Sequence, residues 1–249
     1  MPIITLLTDF GTADSYVAEV KGALLSRLPH VTIVDISHEI PPGNVRAGQY
    51  LLSRAWRHFP EGTVHLAVVD PGVGTERHIL AADSSGHRFV APDNGLLSFL
   101  PEGARFVSLP IPAGAAPTFH GRDVVAPAAT SLANGATLDS LGTAVTHPHR
   151  APLPTPYFDG AAAVGEVIYV DHFGTLISNI PPSAMKPGAR IRVAGIDVGT
   201  LRRTFADTTR TALVAFAGSG GTIEIAVREG SAAEQLKVGV GAEVRTVTL

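Results

Sequence analysis

A proline-rich stretch separates two parts of the 249-residue chain that differ in hydrophobic pattern, and this change constrains the fold more than any other feature. Residues 147–156 hold four prolines in ten positions. Because each proline fixes its own φ angle and lacks a backbone N–H, such a run favours a stiff linker over a helix or strand. The sequence therefore predicts an N-terminal domain at 1–147, a linker at 148–157 and a C-terminal domain at 158–249.

The two parts carry the patterns of different fold classes. Strand-like runs and helical spacings alternate in the first part, with strands at 3–7, 31–36 and 64–69 and helices at 16–28, 45–59 and 123–133. This alternation predicts an α/β domain with a mostly parallel sheet covered by helices. The second part has short strand-like runs between Gly, Asp and Ser turns and no helix of ordinary length. That pattern predicts a smaller antiparallel β-barrel or sandwich.

Composition and standard motifs exclude several classes of function. The net charge of −3, with no basic stripe, argues against nucleic-acid binding, and the absence of cysteine excludes disulfides and thiolate chemistry. No signal-type segment or membrane-length apolar run is present, so we expect a soluble cytoplasmic protein without a membrane partner. There is no dinucleotide glycine motif, P-loop, serine elbow or HExxH pair. We therefore expect no cofactor and no catalytic metal, although Asp9, Asp35 and Asp93 are carboxylates able to bind either a divalent ion or sugar hydroxyls.

Two loops carry candidate catalytic side chains. The apolar run 64–69 delivers Asp70 into a Pro/Gly-rich turn, and Arg77 follows seven residues later. Together they can position and polarise water, whereas the alternative is a structural turn with a surface ion pair. His120 lies between Phe119 and Gly121 before a helix, in a setting suited to a ligand pocket; its alternative is a loop histidine bonded to a backbone carbonyl. Several other histidines lie in polar or loop contexts and are expected to be exposed, among them His30, His58, His87, His147 and His149.

Seven short motifs occur in order along essentially the whole chain. They are Leu7–Gly11, Asp35–His38, Val69–Thr75, Ala91–Gly95, Thr118–Asp123, Asp171–Gly174 and Gly218–Val227. Together they closely resemble the S-adenosylmethionine hydrolases, also called S-adenosylmethionine hydroxide adenosyltransferases, which are related to fluorinases and chlorinases. The resemblance implies hydrolysis of S-adenosyl-L-methionine to adenosine and L-methionine by in-line attack of activated water or hydroxide at ribose C5′.

The resemblance also implies roles for residues of the first domain. Asp70, Arg77 and His120 match the triad that holds and activates water. Asp9 matches the carboxylate that grips the ribose hydroxyls, and Phe119 matches an aromatic beside the reacting ribose. Which of Asp70 and His120 is the base stays open, because two coupled acid–base groups titrate as a unit.

In the second domain the resemblance implies a substrate-binding set. Asp171 and Ser219 match residues at the methionine end, Glu224 and Val227 lie in the segment near the adenine, and Phe205 matches the aromatic that stacks on it. Thr175 stands where many relatives have Asn, so its contact with the substrate is expected to differ. The resemblance further implies a homotrimer, or a dimer of trimers, with the site at the subunit interface.

Two alternative functions remain to be weighed. A chlorinase-like halogenase is disfavoured because fluorinases carry Tyr-Pro-Ala-Thr where this chain has residues 70–73, and Tyr-Ser where it has residues 120–121. The Asp70 carboxylate would also repel a halide. A non-catalytic sensor of adenosine or S-adenosylmethionine is disfavoured because a binder gains nothing from a water-activating triad.

Overall fold

The structure, a computed structural model described over residues 1–248, divides into two compact units that meet in sequence between Pro152 and Leu153. The strands of the first unit are β1 Ile3–Thr8, β2 Thr32–Ser37, β3 Val64–Val68, β4 Ile79–Ser84, β5 His87–Pro92, β6 Arg105–Ser108 and β7 Thr143–Ala144. Its α-helices are α1 Tyr16–Arg27, α2 Val45–Ala55 and α3 Ala126–Ala133. Short 3-10 turns occupy Trp56–His58 and Leu138–Ser140, and a π-helical turn occupies Gly121–Val125.

One sheet forms the centre of the first unit, in the order β2-β1-β3-β5-β4-β6-β7. The strands β2, β1, β3 and β5 pair in parallel, whereas β4, β6 and β7 join antiparallel. The change follows from the connection between β4 and β5, which has only Ser85 and Gly86, both with positive φ. Such a two-residue turn makes a hairpin, and no parallel crossover can be that short. The predicted α/β class is confirmed, and its four parallel strands are adjacent, at one end of the strand order.

The helix boundaries follow local capping chemistry. At the start of α2, the Asn44 side chain caps the helix by accepting a hydrogen bond from the Ala47 N–H at 3.0 Å. The helix predicted from residue 123 is preceded by the π-helical turn, so that α3 proper begins at Ala126. π-Helical turns occur frequently at functional sites.

One histidine expected at the surface is buried. His87 is only 5% exposed, packs edge-on against Trp56 and lies with its Nδ1 3.2 Å from Nε2 of His65. The expectation of exposure was therefore wrong for this residue, because the hairpin turns His87 inward at the start of β5.

The second unit is a closed barrel. Its strands are β8 Tyr157–Asp159, β9 Ala162–Val170, β10 Leu176–Ser178, β11 Arg190–Val193, β12 Ile196–Arg202, β13 Leu213–Ala217, β14 Ile223–Val227 and β15 Glu243–Val247. A short α-helix, α4, spans Ala232–Leu236, and 3-10 turns occupy Pro182–Ala184 and Phe205–Asp207. Seven strands run in the order β10-β14-β13-β12-β11-β15-β9, and β9 pairs back with β10. All of these pairings are antiparallel except β12 with β13. The all-β second domain is confirmed as a barrel, in which the pairing of β9 with β10 closes the seven-strand sheet, while β8 adds to β9 at its end.

Each unit has its own apolar core. In the first unit, Leu6, Leu66 and Val90 pack beneath α1 and α3. In the second, Val167, Ile191 and Ile225 fill the barrel. Within residues 1–248, the helices all fall short of the length and apolar character that crossing a membrane requires.

Candidate active site

An ion pair between Asp70 and Arg77 forms directly after β3. Two tight turns reverse the chain, with the Val73 N–H on the Asp70 carbonyl and the Thr75 N–H on the Gly72 carbonyl. Arg77 Nε then donates to both Asp70 carboxylate oxygens, at 2.9 and 2.8 Å, and its Nη2 donates to Oδ2. The two side chains are only 10% and 6% exposed, so this is a buried pair rather than a surface one.

His120 completes the cluster from a distant part of the sequence. Arg77 Nη2 lies 3.1 Å from His120 Nδ1. Because a guanidinium can only donate, Nδ1 accepts and the proton of the neutral ring is on Nε2. Burial, and then the neighbouring Arg77 charge, lower the pKa of His120, while the Asp70 charge partly opposes that shift. The imidazole is therefore neutral near pH 7, and its partner is Arg77 instead of the backbone carbonyl of the alternative interpretation.

Phe119 is held beside His120 by a cationic and aromatic clamp. The Arg122 guanidinium lies 4.8 Å from the centre of the Phe119 ring and also donates to Glu19 of α1 at 2.8 Å. Phe10 and Tyr16 contact the ring edge-on, with centroid distances of 5.9 and 5.5 Å. A cation over one face and aromatic edges around it fix the ring orientation.

Asp9 follows β1 and lies close to the same cluster. Its Oδ2 accepts the Gly43 N–H at 2.7 Å, and Gly43 adopts φ +72°, a conformation that favours glycine. A cavity of 60 Å³ is lined by Asp9, Phe10, Val68, Asp70, Val73, Thr118, Phe119, His120 and Gly121. The structure thus brings four of the sequence-predicted residues of the first domain around one small cavity, with Arg77 bonded to two of them.

A second, larger cavity of 720 Å³ lies in the barrel unit. All six residues that the sequence analysis named for this domain line it, namely Asp171, Thr175, Phe205, Ser219, Glu224 and Val227. Sequence reasoning missed Phe216, whose ring centroid lies 4.5 Å from that of Phe205. The signal that identifies it is strand register, because Phe216 pairs directly with Glu224 across β13 and β14. Phe173, Arg228, Glu229 and Gly230 also line the cavity without having been predicted.

A tight loop fixes Asp171 and Thr175 at this cavity. Asp171 Oδ1 accepts the backbone N–H groups of Phe173 and Thr175 at 2.9 and 2.8 Å. Gly174 has φ +77°, and a Cβ there would lie 2.0 Å from Ser231 Oγ. Thr175 is buried and lines the cavity, so this loop presents it from an ordered backbone.

The other carboxylates considered for ion binding are engaged elsewhere. Asp35 pairs with Lys21 at 2.6 Å, and Asp93 accepts the His149 N–H at 2.7 Å. Neither lines the small cavity beside Asp9. Over residues 1–248, no three His, Asp or Glu side chains come together as a metal-binding group.

Comparison with known proteins agrees with this geometry. A family model described as the SAM hydroxide adenosyltransferase N-terminal domain matches residues 4–142, and the corresponding C-terminal domain model matches residues 165–245. A Thermus thermophilus protein named (R)-S-adenosyl-L-methionine hydrolase is 41% identical over 256 aligned positions, covering 97% of this chain and 98% of that protein. An Actinoplanes fluorinase is 33% identical, with 72% of each chain covered. The crystal structure of an uncharacterized conserved protein from Thermotoga maritima matches with a TM-score of 0.90 at 32% identity, covering 98% of this chain and 100% of that one.

Proposed function

The chain belongs to the SAM hydroxide adenosyltransferase family, and from its site we propose that water attacks ribose C5′ of S-adenosyl-L-methionine in line with the departing sulfur. The protein is an enzyme that hydrolyses this substrate to adenosine and L-methionine. The observation that carries the proposed mechanism is the buried Asp70–Arg77–His120 cluster, since Asp70 and His120 line the same cavity as Asp9.

The departure of methionine from C5′ requires no catalytic group of the protein. The new O–C5′ bond forms as the C5′–S bond breaks, and the electron pair of that bond neutralises the sulfonium to a thioether. A neutral thioether leaves without a general acid or a Lewis acid, so we propose a reaction independent of metal and cofactor. The enzyme's task is to place one water in line and remove its proton, and positioning of this kind supplies several kcal/mol of a barrier.

The three residues of the cluster have different roles in orienting and deprotonating the water. His120 receives an Arg77 N–H on Nδ1 and therefore presents Nε2–H, a donor that orients and stabilises a hydroxide-like oxygen. Asp70 lines the cavity as a carboxylate and is the acceptor for the water proton. Arg77 holds both groups in place, and its charge stabilises the oxygen that loses the proton.

We propose the substrate-binding roles that the family resemblance implies, and the two cavities support them because these residues line them. Asp9 accepts the ribose hydroxyls, and Phe119 packs beside the ribose. In the barrel unit, Phe205 with Phe216 stacks on the adenine, near Glu224 and Val227. Asp171, Thr175 and Ser219 bind the methionine end. A volume of 720 Å³ lies within the range of cavities that hold ligands of this size.

The alternative functions fit the site less well. A halogenase must bind a halide next to C5′, where the Asp70 carboxylate opposes it. A fluorinase relative is also less similar than the hydrolase relative, at 33% against 41% identity. A sensor gains no affinity from a buried ion pair joined to a neutral histidine, because such a pair costs desolvation energy.

Isotope labelling tests the reaction directly. The enzyme is incubated with S-adenosylmethionine in H₂¹⁸O containing chloride or fluoride, and the nucleoside and amino-acid products are analysed by mass spectrometry. We expect one ¹⁸O in the 5′-hydroxyl of adenosine and none in methionine. A 5′-halo nucleoside would identify a halogenase, and unlabelled adenosine would exclude attack at C5′. Asp70→Asn is the matched control, which preserves side-chain size and lacks the acceptor charge.

We further propose that neighbouring chains of a homotrimer, or of a dimer of trimers, supply the two sets of binding residues to one substrate. The head-to-tail arrangement of cyclic symmetry gives every chain the same role. Mixing inactive Asp70→Ala and Asp171→Ala chains should restore activity, because some sites then receive both wild-type residues. No recovery despite verified subunit exchange would mean that each chain builds its own site.

A further inference from the structure

The Asp35–His38 motif has no role in the mechanism above, yet it forms an ordered chain of side chains that ends at the Asp9 loop. Lys21 Nζ lies 2.6 Å from Asp35 Oδ2, and Asp35 Oδ1 lies 3.2 Å from Nε2 of His38. His38 Nδ1 in turn lies 2.7 Å from the Thr8 hydroxyl. Both His38 and Thr8 are buried, at 6% and 1% exposure. Thr8 is the residue directly before Asp9.

The Thr8 hydroxyl joins His38 to the Asp9 loop. It forms a hydrogen bond with His38 Nδ1, and its oxygen also accepts the Phe10 N–H at 3.3 Å. His38 Nε2 lies near the Asp35 carboxylate but makes no hydrogen bond to it. The link from His38 to the backbone just after Asp9 therefore passes through the Thr8 hydroxyl.

The same segment also holds the loop by its backbone. The Gly11 N–H donates to the His38 carbonyl at 2.8 Å, and the Gly43 N–H donates to the Asp9 carboxylate at 2.7 Å. The register of β1 on β2 shifts between Leu6 and Leu7, just before Thr8. Such an irregularity re-aims the side chains that follow it. The loop of residues 8–11 is therefore fixed on both sides of Asp9.

We propose that His38, acting through Thr8, is a positioning residue that aims the Asp9 carboxylate at the ribose hydroxyls. This inference rests on the proposed function, in which Asp9 binds that diol. His38 does not touch the substrate, and its effect is to keep one carboxylate direction populated before binding. A carboxylate that is preorganised binds a diol more tightly than one that must be ordered on binding.

The chain contains a matched control for this arrangement. Thr5 lies on the same strand, is fully buried, and its hydroxyl lies 2.8 Å from Nδ1 of His65. The Thr5–His65 pair thus repeats the Thr8–His38 hydrogen bond three residues earlier. Thr5→Val removes an equivalent buried hydrogen bond remote from Asp9, whereas Thr8→Val removes the one next to it.

The test compares the binding of adenosine with that of 2′,3′-dideoxyadenosine by calorimetry, using the full-length protein. Hydrogen bonds to a charged carboxylate predict that the wild type prefers adenosine by about 10- to 100-fold. We expect Thr8→Val and His38→Ala to reduce this preference by about threefold or more, mainly through weaker adenosine binding. Thr8→Ser and Thr5→Val should retain it, and Asp9→Asn should abolish it.

Each outcome decides the proposal, because a purely structural defect weakens both nucleosides equally and leaves their ratio unchanged. An unchanged ratio in Thr8→Val, or an equal reduction of the ratio in Thr5→Val, would overturn the positioning role. The positioning role would also be overturned if the wild-type enzyme hydrolysed S-adenosylmethionine but bound adenosine no more tightly than 2′,3′-dideoxyadenosine. If the wild type made no adenosine from S-adenosylmethionine, the proposed function would fail, while a preference lost only in Thr8→Val and His38→Ala would still support the role of His38.

Discussion

Replacing Arg77 by glutamine tests the central ion pair through three independent readouts. The substitution removes the cation and leaves the Asp70 carboxylate, only 6% exposed, without a charged partner. Breaking a buried pair in this way costs about 3–5 kcal/mol of folding free energy. For a chain of this size, 1 kcal/mol corresponds to about 2–4 °C in Tm, so we expect a decrease of roughly 6–20 °C. Turnover should fall by about 10²–10³-fold, the usual effect of losing one preorganised electrostatic group.

The third readout is the pKa of His120, for which the structure fixes the sign. Burial and the Arg77 charge lower this pKa, so the neutral ring required by the mechanism persists below pH 6.5 and is lost as the pH falls through the lowered pKa. Without Arg77 the pKa rises, and the acidic limb of kcat/KM moves to higher pH. Asp70→Asn should shift the limb the other way, because the Asp70 charge raises the pKa of His120.

The assay combines thermal melting, adenosine formation between pH 5 and 9, and an NMR titration of the His120 ring, assigned with a His120→Asn variant. Arg190→Gln is the matched stability control, since it breaks an Arg–Asp pair whose side chains are 36% and 38% exposed. Such a surface pair contributes only about 0–1 kcal/mol. The reasoning would be refuted by a His120 pKa that stays the same in Arg77→Gln, or by equal losses of Tm in the two arginine variants.

Three further predictions concern the remainder of the molecule. Gly174→Ala should weaken methionine binding measured by calorimetry and lower Tm, because a Cβ would lie 2.0 Å from Ser231 Oγ at φ +77°; unchanged values for both would contradict the loop geometry. Burial lowers the pKa of His65 to about 3, so stability should be lost as the pH falls from 6.5 towards 3, by up to about 5 kcal/mol. His65→Gln should flatten this dependence in urea titrations, and identical pH slopes would show that another group is responsible. Finally, EDTA should leave turnover unchanged, and activity that is lost to a chelator and restored by a divalent ion would disprove the metal-free mechanism.

Much of the candidate site could be predicted from the sequence because the signals for it are local. An apolar run followed by Asp70, Pro71 and Gly72 identifies a strand that ends in a tight turn, whatever surrounds it. The short separation from Asp70 to Arg77 brings these two side chains together through the turn itself. Local signals of the same kind predicted α1 and α2, each of which depends on residues within a few positions.

Other features could not be predicted from the sequence because they depend on contacts between residues far apart in the chain. The strand β12 is half-exposed and contains Asp197 and Gly199, so its period-2 pattern is weak, and pairing with β11 and β13 forms it. His87 looked like a surface residue until the β4–β5 hairpin buried it. Phe216 became a lining residue only through its register opposite Glu224.

What the sequence determined by itself was the three helices and the first three strands of the α/β part, the division into an α/β part and an all-β part, and the chemistry available at the loop ends. Hydrophobic period, proline and glycine act over a few residues, so they specify these features directly. Only the tertiary structure decided that His120, 43 positions after Arg77, bonds to that guanidinium, and that His38 reaches Thr8 beside Asp9. These two contacts depend on which strands pair and in what register. Strand register is set by the burial of whole sheet faces, so no local sequence pattern encodes it.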